Sequence, residues 1–184
     1  MRIGMVGLGK MGGNMTQRLL KGGHEVVVTD LNPQFVQNGV DMGAIGANNL
    51  AELVQHLPSP RVVWVMIPAG DPTEKTIFQI ADLLSADDII IDGGNSNYKD
   101  SVRHGQMLQA RDIHFVDVGT SGGVWGLENG YSLMIGGDEK AVESLRPIFE
   151  TLAPAPNLGW GRVGGVGSGH FVKMIHNGIE YGMM

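Results

Sequence analysis

The sequence contains no cysteine, which excludes disulfides, thiolate nucleophiles and cysteine-ligated metal sites. Charged residues make up only 17% of the chain, and the formal net charge is −6 without any basic cluster, so nucleic-acid binding has little electrostatic support. No apolar run approaches the roughly 20 residues of a membrane span. The N-terminus looks like a strand and lacks the cleavage site of a signal peptide. These absences predict a soluble, cytoplasmic protein without nucleic-acid or membrane partners.

Glycine is the compositional outlier, with 29 of 184 residues. At this frequency a motif of three glycines arises easily by chance, so the bare pattern indicates little. The position of a glycine motif relative to the predicted strands and helices therefore decides whether the motif indicates a binding site.

The first 120 residues alternate between short apolar runs and longer helical patterns. The apolar runs are continuous and rich in β-branched residues, as in strands buried on both faces of a parallel sheet. They occupy residues 2–7, 25–30, 61–67, 88–92 and 113–118. The helical patterns between them occupy residues 11–21, 33–38, 50–56, 71–84 and 99–110. This alternation predicts an α/β fold with right-handed crossovers and a doubly wound parallel sheet of the Rossmann type.

The pattern changes after residue 118. A glycine-dense turn comes first, and the predicted elements that follow are a strand at 131–135, a helix at 139–152 and a Pro/Gly-rich connector at 154–165. A new helical pattern begins at Val166 and reaches Met184 without a C-cap. We therefore expect a dinucleotide-binding domain of residues 1–164, with residues 165–184 as the start of a long helix that leads into further sequence.

The motif Gly7-Leu8-Gly9-Lys10-Met11-Gly12 lies between the first predicted strand and the first predicted helix. There Gly7 permits a tight turn, Gly9 lets the backbone approach a pyrophosphate, and Gly12 permits close helix–strand packing, while the helix N-terminus faces the phosphates. Asp30 ends the second strand, 23 residues after Gly7, where an acidic residue binds the ribose 2′-hydroxyl. Because Asp30 repels a 2′-phosphate and no Arg follows it, the sequence predicts NAD in preference to NADP. The alternative is a plain glycine-rich turn.

Two further loops follow predicted strands, at residues 66–70 and 92–96. Ligands bind at the carboxyl ends of strands in open α/β sheets, so Pro68 and Ala69 of the first loop are candidate cofactor contacts. Asn95 of the second loop offers an amide donor and acceptor to the nicotinamide or to a substrate hydroxyl. An ordinary turn asparagine is the alternative.

Five polar side chains recur at helical spacing near the end of the sequence. Lys173, His176, Asn177, Glu180 and Tyr181 fall at i, i+3, i+4, i+7 and i+8, which places them on one helix face. The opposite side is apolar and a dinucleotide domain precedes the helix, so we interpret the polar face as catalytic. A solvated face with Lys–Glu pairs is the alternative.

Several motifs resemble those of one enzyme family. Gly164-x-x-Gly167-x-Gly169-x-x-x-Lys173-x-x-x-Asn177 is similar to the signature of the β-hydroxyacid dehydrogenases. Residues 91–96 (IDGGNS), Ser121-Gly122-Gly123 and residues 176–181 (HNGIEY) resemble the decarboxylating 6-phosphogluconate dehydrogenase branch of that family. The resemblance extends over the whole chain.

The resemblance implies a reaction and roles for individual residues. The reaction is oxidative decarboxylation of 6-phosphogluconate to ribulose 5-phosphate and CO₂, a step of the pentose phosphate pathway, with reduction of NAD(P). In that scheme Lys173, made less basic by partial desolvation, accepts the proton of the carbon-3 hydroxyl. Glu180 then protonates the enediol at carbon 1. The residues that map onto the family's substrate contacts are Asn95, Ser121, Gly122, Gly123, His176, Asn177 and Tyr181.

The same resemblance implies an all-helical second domain beyond Met184, which supplies dimer contacts and part of the substrate's phosphate site. We therefore expect a homo-oligomer in the full-length protein, and weak or no activity in this chain alone. The sequence shows no metal site, and the reaction requires none because protonated Lys173 polarises the ketone.

Three alternatives stay open. A non-decarboxylating β-hydroxyacid dehydrogenase, acting on a 3-hydroxyisobutyrate or tartronate-type acid, would share Lys173 and Asn177 but needs no enediol acid at Glu180. A hydrolase is suggested by residues 119–123 (GTSGG), which formally fit a nucleophile elbow, although the glycines that follow are a poor start for the helix an elbow requires. The third is a chain that only binds the dinucleotide.

Overall fold

The computed structural model describes all 184 residues, with eight strands in one sheet flanked by helices. The strands are β1 (Arg2–Val6), β2 (Glu25–Thr29), β3 (Ile45–Gly46), β4 (Val62–Val65), β5 (Ile89–Asp92), β6 (His114–Ser121), β7 (Ser132–Gly136) and β8 (Trp160–Gly164). The helices are α1 (Lys10–Lys21), α2 (Pro33–Asp41), α3 (Leu50–Gln55), α4 (Asp71–Ala81), α5 (Tyr98–Gln109), α6 (Gly126–Asn129), α7 (Glu139–Ser144), α8 (Arg146–Leu152) and α9 (Ser168–Met183). The sheet order is β3-β2-β1-β4-β5-β6-β7-β8, and the predicted Rossmann-type fold is confirmed.

The central strands are buried on both faces, as their continuous apolar sequence predicts. Alternate residues of β4 belong to two separate hydrophobic clusters, with Val62 and Trp64 in one and Val63 and Val65 in the other. Each cluster fills the space between the sheet and the helices on one side. Trp64 packs edge-on against Phe149 of α8, with ring centroids 6.3 Å apart. This packing holds the carboxyl ends of the strands at one edge of the sheet, where the predicted site loops lie.

The sheet is parallel from β3 to β6, as predicted from the first 120 residues, but it is not parallel throughout. β6 and β7 pair antiparallel, with Gly119 opposite Met134. Their connection, residues 122–131, is shorter than the dozen or more residues that a parallel crossover requires. Two strands were also missed, because β3 has only two residues and β8 lies within the expected connector at 154–165.

The helix predicted at residues 139–152 is in fact two helices, α7 and α8, which meet at Leu145. Pro147 is the cause, because it has no N–H to donate to the carbonyl of Glu143. Leu145 accordingly leaves the helical conformation, with φ −93° and ψ 0°. None of the nine helices combines the length and the apolar character needed to cross a bilayer.

Candidate active site

The glycine loop turns from β1 into α1, and its glycines meet different requirements. Gly7 has a φ of +93°, a conformation that favours glycine. A Cβ on Gly12 would collide with the carbonyl oxygen of Gly7, so glycine is needed here for close packing of α1. Nothing lies within 4 Å of the position that a Cβ on Gly9 would take. The space at Gly9 is therefore open, at the N-terminus of a helix that has no side-chain cap.

Asp30 lies directly beside this loop, one residue after the end of β2. Its Oδ2 accepts a hydrogen bond from the N–H of Leu8 at 2.6 Å, and its Oδ1 accepts one from the N–H of Asn32 at 2.8 Å. The next side chain, Leu31, is fully exposed. Two backbone donors thus hold the Asp30 carboxylate next to the open end of α1.

A cleft of about 260 Å³ opens at the carboxyl ends of the central strands. The strand order reverses between β1 and β4, and ligands of open α/β sheets bind at such a switch point. Six of the predicted cofactor contacts line this glycine-loop cleft: Gly9, Lys10, Met11, Gly12, Pro68 and Asn95. Gly7 and Leu8 are buried beneath them, and Ala69 is exposed outside the lining.

Helix α9 approaches the sheet closely because three glycines lie at the contact. A Cβ on Gly169 would lie 2.5 Å from the carbonyl oxygen of Asp117 and 2.9 Å from the amide nitrogen of Gly136. A Cβ on Gly119 would lie 2.6 Å from the Cβ of Lys173. The lack of side chains at these positions lets α9 pack directly on β6 and β7, which brings Lys173 to the end of β6.

A carboxylate from the sheet holds the N-terminus of α9. The N-cap residue of this helix, Gly167, has no side chain to provide a cap. Asp117, fully buried in β6, provides one: Oδ1 accepts the N–H of Gly167 at 2.6 Å and Oδ2 accepts the N–H of His170 at 2.9 Å. Burial raises the pKa of Asp117, and the two N–H donors oppose that rise. The start of α9 is therefore fixed relative to β6.

Lys173 lies one turn beyond this cap, with its amine between two acceptors. Nζ donates to Oδ1 of Asn95 at 2.7 Å and to the carbonyl oxygen of Thr120 at 2.5 Å. Neither acceptor carries a charge that would compensate for burying an ammonium group. Partial burial accordingly lowers the pKa of Lys173 below its ordinary value of 10.5. Burial thus increases the share of the neutral amine at a given pH, and the neutral amine is the form that acts as a base.

A second cleft, of about 370 Å³, adjoins the first. Asn95 and Lys173 line both clefts and so form the boundary between them. Asn177, one turn after Lys173 on α9, and Tyr98 of α5 line the second cleft. We call it the Asn95–Asn177 cleft. Its amide and hydroxyl groups suit a small hydroxylated molecule placed beside the lysine amine.

The other predicted residues of the α9 face lie away from both clefts. The side chains of His176 and Glu180 are 56% and 57% exposed, and Nδ1 of His176 is 3.8 Å from Oε2 of Glu180. Tyr181 is also exposed, at the far end of the helix. Of this face, the structure brings only Lys173 and Asn177 to the clefts.

The segment Ser121-Gly122-Gly123 follows Thr120 at the end of β6 but lines neither cleft. Ser121 pairs with Ser132 in the antiparallel ladder. A three-residue 3₁₀ helix at Gly123–Trp125 and the four-residue α6 follow it. A nucleophile elbow instead requires a sharp turn from a strand directly into a helix, so the structure does not support the hydrolase alternative.

Sequence reasoning did not identify three residues that build this site: Thr120, Asp117 and His170. Thr120 contributes its backbone carbonyl, which no side-chain pattern reveals. Asp117 did carry a signal, because a carboxylate inside the apolar strand His114–Ser121 is costly to bury unless it is hydrogen-bonded. His170 lies off the polar face, buried in the first turn of α9.

Comparison with known proteins shows the family to which the chain belongs. Residues 2–163 match the family model for the NAD binding domain of 6-phosphogluconate dehydrogenase. The chain is 44% identical over 184 residues to an NAD(+)-dependent, decarboxylating 6-phosphogluconate dehydrogenase of Haloferax volcanii, a match that covers 100% of this chain and 60% of the relative. It is 38% identical over 193 residues to the NADP(+)-dependent, decarboxylating enzyme of Bacillus subtilis, of which it covers 40%.

Solved structures show the same fold. The 6-phosphogluconate dehydrogenase of Plasmodium falciparum superposes with a TM-score of 0.90 at 31% identity, over 99% of this chain and 41% of that one. A 3-hydroxyisobutyrate dehydrogenase of Mycobacterium tuberculosis shares the fold with a TM-score of 0.88 at 24% identity, over 97% of this chain and 59% of that one. The chain thus spans between about 40% and 60% of the length of these proteins. It belongs to the 6-phosphogluconate dehydrogenase family, and residues 2–163 are the NAD-binding domain of that family.

Proposed function

We propose that this chain binds a nicotinamide dinucleotide, preferentially NAD, and that Lys173 is the base in oxidative decarboxylation of 6-phosphogluconate to ribulose 5-phosphate and CO₂. One observation carries the proposal. The Lys173 amine lies partly buried between two uncharged acceptors, where the glycine-loop cleft meets the Asn95–Asn177 cleft. The names of the Haloferax volcanii and Plasmodium falciparum relatives support the choice of substrate.

The glycine-loop cleft fits a dinucleotide. The open space at Gly9 leaves room for a pyrophosphate, and the uncapped N–H groups of the first turn of α1 suit its negative charge. The Asp30 carboxylate lies where the ribose hydroxyls of the adenosine half bind in this fold. A bound nicotinamide would supply the hydride acceptor for the reaction, and residues of the loops after β4 and β5, which line the cleft, would hold it.

Lys173 carries out the first proton transfer. Its neutral amine accepts the proton of the carbon-3 hydroxyl as that carbon gives up its hydride. The resulting ammonium group donates a hydrogen bond to the new ketone oxygen. The ketone takes up the electron pair released when carbon 1 leaves as CO₂, and its oxygen receives the proton of the Lys173 ammonium group, which yields an enediol and the neutral amine. The amide oxygen of Asn95 holds the amine throughout, because both protonation states of lysine have a hydrogen to donate to it.

We assign the second proton transfer to Glu180: its carboxyl protonates the enediol carbon from which CO₂ has left, and the Lys173 amine takes up the proton of the enediol hydroxyl as the ketone of ribulose 5-phosphate forms. Glu180 lies on the same helix face as Lys173 and is paired with His176. Asn95 and Asn177 contribute to substrate binding from the walls of the cleft. The other substrate contacts proposed from the family's pattern are Ser121, Gly122, Gly123, His176 and Tyr181.

We also propose the division into residues 1–164 and 165–184 as domain and linker helix. β8 ends at Gly164, and α9 begins at Ser168. Only Gly169 and His170 are buried in α9, whereas the later turns are largely exposed. The later turns of α9 thus extend from the packed domain, as expected of a linker helix.

Replacing Asp30 by asparagine together with Leu31 by arginine is expected to reverse the cofactor preference. The change removes the carboxylate that repels a 2′-phosphate and adds a guanidinium that binds one. Hydrogen bonds to charged groups contribute about 1.5–3 kcal/mol, so we expect NAD affinity to fall by about tenfold and NADP affinity to rise by at least as much. Fluorescence titration of the chain with both reduced cofactors measures these affinities.

The matched control is Asp41→Asn, which removes an exposed carboxylate at the end of α2. It is expected to change neither affinity. Equal affinities of the unaltered chain for NAD and NADP would contradict the role given to Asp30.

Turnover is expected to rise with pH as Lys173 loses its proton, at a pH below 10.5 because burial lowers the pKa of this lysine. The same shift acts on stability. Between the lowered pKa and 10.5 the unfolded chain binds more protons than the folded one, so the free energy of unfolding rises with pH in that window. Urea unfolding at a series of pH values measures this slope. Lys173→Met should remove it, and a slope unchanged in that variant would contradict the assignment.

The test of the function is reduction of NAD and of NADP with 6-phosphogluconate, followed by absorbance together with CO₂ release. It uses this chain and the chain joined to the part of the Haloferax volcanii relative that lies beyond the match. Turnover with CO₂ release supports the proposal. Oxidation of a short 3-hydroxy acid, without action on 6-phosphogluconate, would establish the non-decarboxylating alternative instead.

A further inference from the structure

His170 is a buried imidazole to which the proposed reaction gives no role. It lies on the first turn of α9, three residues before Lys173, and is only 3% exposed. Both ring nitrogens have partners: Nδ1 lies 2.7 Å from Oγ of Ser101 on α5, and Nε2 lies 3.1 Å from the carbonyl oxygen of Gly94. One side chain therefore joins α9 to α5 and to the loop after β5.

The bond to Gly94 does not depend on the charge of the ring. A carbonyl oxygen only accepts, so Nε2 must carry a hydrogen and donate it. In the neutral ring the hydroxyl of Ser101 donates to Nδ1; in the cation Nδ1 donates to that hydroxyl. The charged group that faces the ring is Asp117, whose Oδ2 lies 3.8 Å from Nδ1. The link from α9 to the loop is present in either state.

Gly94 immediately precedes Asn95, whose amide oxygen accepts from Lys173. Helix α9 is therefore tied to this loop twice, by His170, which is nearly fully buried where it lines the Asn95–Asn177 cleft, and by Lys173, which lies at the boundary of the two clefts. The lysine must turn its lone pair towards a substrate hydroxyl when it acts as a base, so the angle of its hydrogen bond to Asn95 changes in each cycle although the bond itself is kept. The hydrogen bond from His170 to Gly94 is buried, and it does not have to change during the reaction.

We propose that His170 is a positioning residue. By holding the carbonyl of Gly94, it keeps the Asn95 side chain against the amine of Lys173, and it keeps water away from that amine. The importance of His170 for catalysis rests on the proposed function, whereas its effect on the position of Asn95 does not. In a variant without a donor at the position of Nε2, the loop loses its buried hydrogen bond to α9, and the amine of Lys173 becomes more hydrated.

Three variants separate this role from the general loss of a buried ring. His170→Gln keeps an N–H donor near the position of Nε2, and His170→Leu removes the donor while filling the space. The matched control is His104→Leu, because His104 is also buried, at 2% exposure, but packs between Phe78 and Phe115 and makes no hydrogen bond to the Gly94 loop. All three are made in the chain as it stands.

The readout is the titration of Lys173 itself, followed by NMR of the chain labelled with ¹³C-lysine and assigned with Lys173→Arg. The chain has six lysines, so five serve as internal references. We expect His170→Leu to raise the pKa of Lys173 towards 10.5, because the burial that lowers it is partly lost. The Gln variant and His104→Leu should titrate like the unaltered chain.

An unchanged Lys173 titration in His170→Leu, or the same upward shift in His170→Gln or His104→Leu, would overturn the proposal. If the leucine variant does not fold, His170→Met takes its place: it likewise has no donor for the carbonyl of Gly94 and should shift Lys173 in the same direction, and no shift would overturn the proposal equally. The measurement needs no turnover. A chain that behaves as expected but does not oxidise 6-phosphogluconate would reject the proposed function and leave the role of His170 standing.

Discussion

Replacing Lys173 by methionine is expected to lower turnover of 6-phosphogluconate by between about a hundredfold and 10⁴-fold, the range over which a positioned acid–base group acts. Methionine keeps an unbranched chain that fits the partly buried position but has no proton to accept or return. The affinity for NAD should stay the same, because the glycine loop forms the other side of the cleft and Asp30 is hydrogen-bonded to that loop. Absorbance of the reduced cofactor measures the rate, and fluorescence titration measures the affinity.

The matched control for this loss is Lys140→Met. Lys140 lies exposed on α7 and lines neither cleft, so its replacement should leave both the rate and the affinity unchanged. A Lys173→Met variant that keeps the full rate would show that another group takes the proton. One that loses NAD binding as well would show that the lysine serves the cofactor and not the chemistry.

Gly169→Ala is expected to lower the free energy of unfolding by about 3 kcal/mol, the upper end of the usual cost of overpacking. The added methyl group would meet the backbone of two strands, at the carbonyl oxygen of Asp117 and the amide nitrogen of Gly136. Backbone atoms of a sheet cannot turn aside as a side chain does, so α9 must move instead. Urea unfolding of the chain measures the effect, and the same displacement should carry Lys173 away from Asn95.

Gly178→Ala is the control, since it makes the same change two turns later on the same helix. Nothing lies within 4 Å of a Cβ at this position, and alanine favours a helix over glycine by about 1 kcal/mol. We therefore expect an equal or higher free energy of unfolding. A comparable loss in both variants would mean that the contact of α9 with β6 and β7 is not what makes Gly169 necessary.

The central part of the fold was predictable because local sequence and burial agree there. β4 and β5 are short, rich in β-branched residues and buried throughout, β1 is buried except at Arg2, and each of the three is followed by a loop and an amphipathic helix. Continuous apolar runs of this kind are typical of a parallel sheet that is covered by helices on both faces. The direction of β7 could not be predicted in the same way, because it follows from the length of the connection between β6 and β7 and not from the residues of the strand. β8 was missed because glycine and proline surround it.

For the candidate site, the sequence by itself determined which chemical groups are present and their order along single elements. The glycine loop, Asp30 at a strand end and the helical spacing of Lys173 and Asn177 are local features, and local geometry is enough to interpret them. The assignments of the exposed His176, Glu180 and Tyr181 stay predictions.

Only the tertiary structure decided what surrounds Lys173. The carbonyl of Thr120, the Asp117 cap and the His170–Gly94 bond join segments that are 50 or more residues apart. Such contacts depend on how closely α9 approaches the sheet, which the glycines at 119, 136 and 169 permit only in combination. The basicity of the lysine follows from that approach, because the pKa of an amine depends on its burial and neighbours and not on its place in a motif.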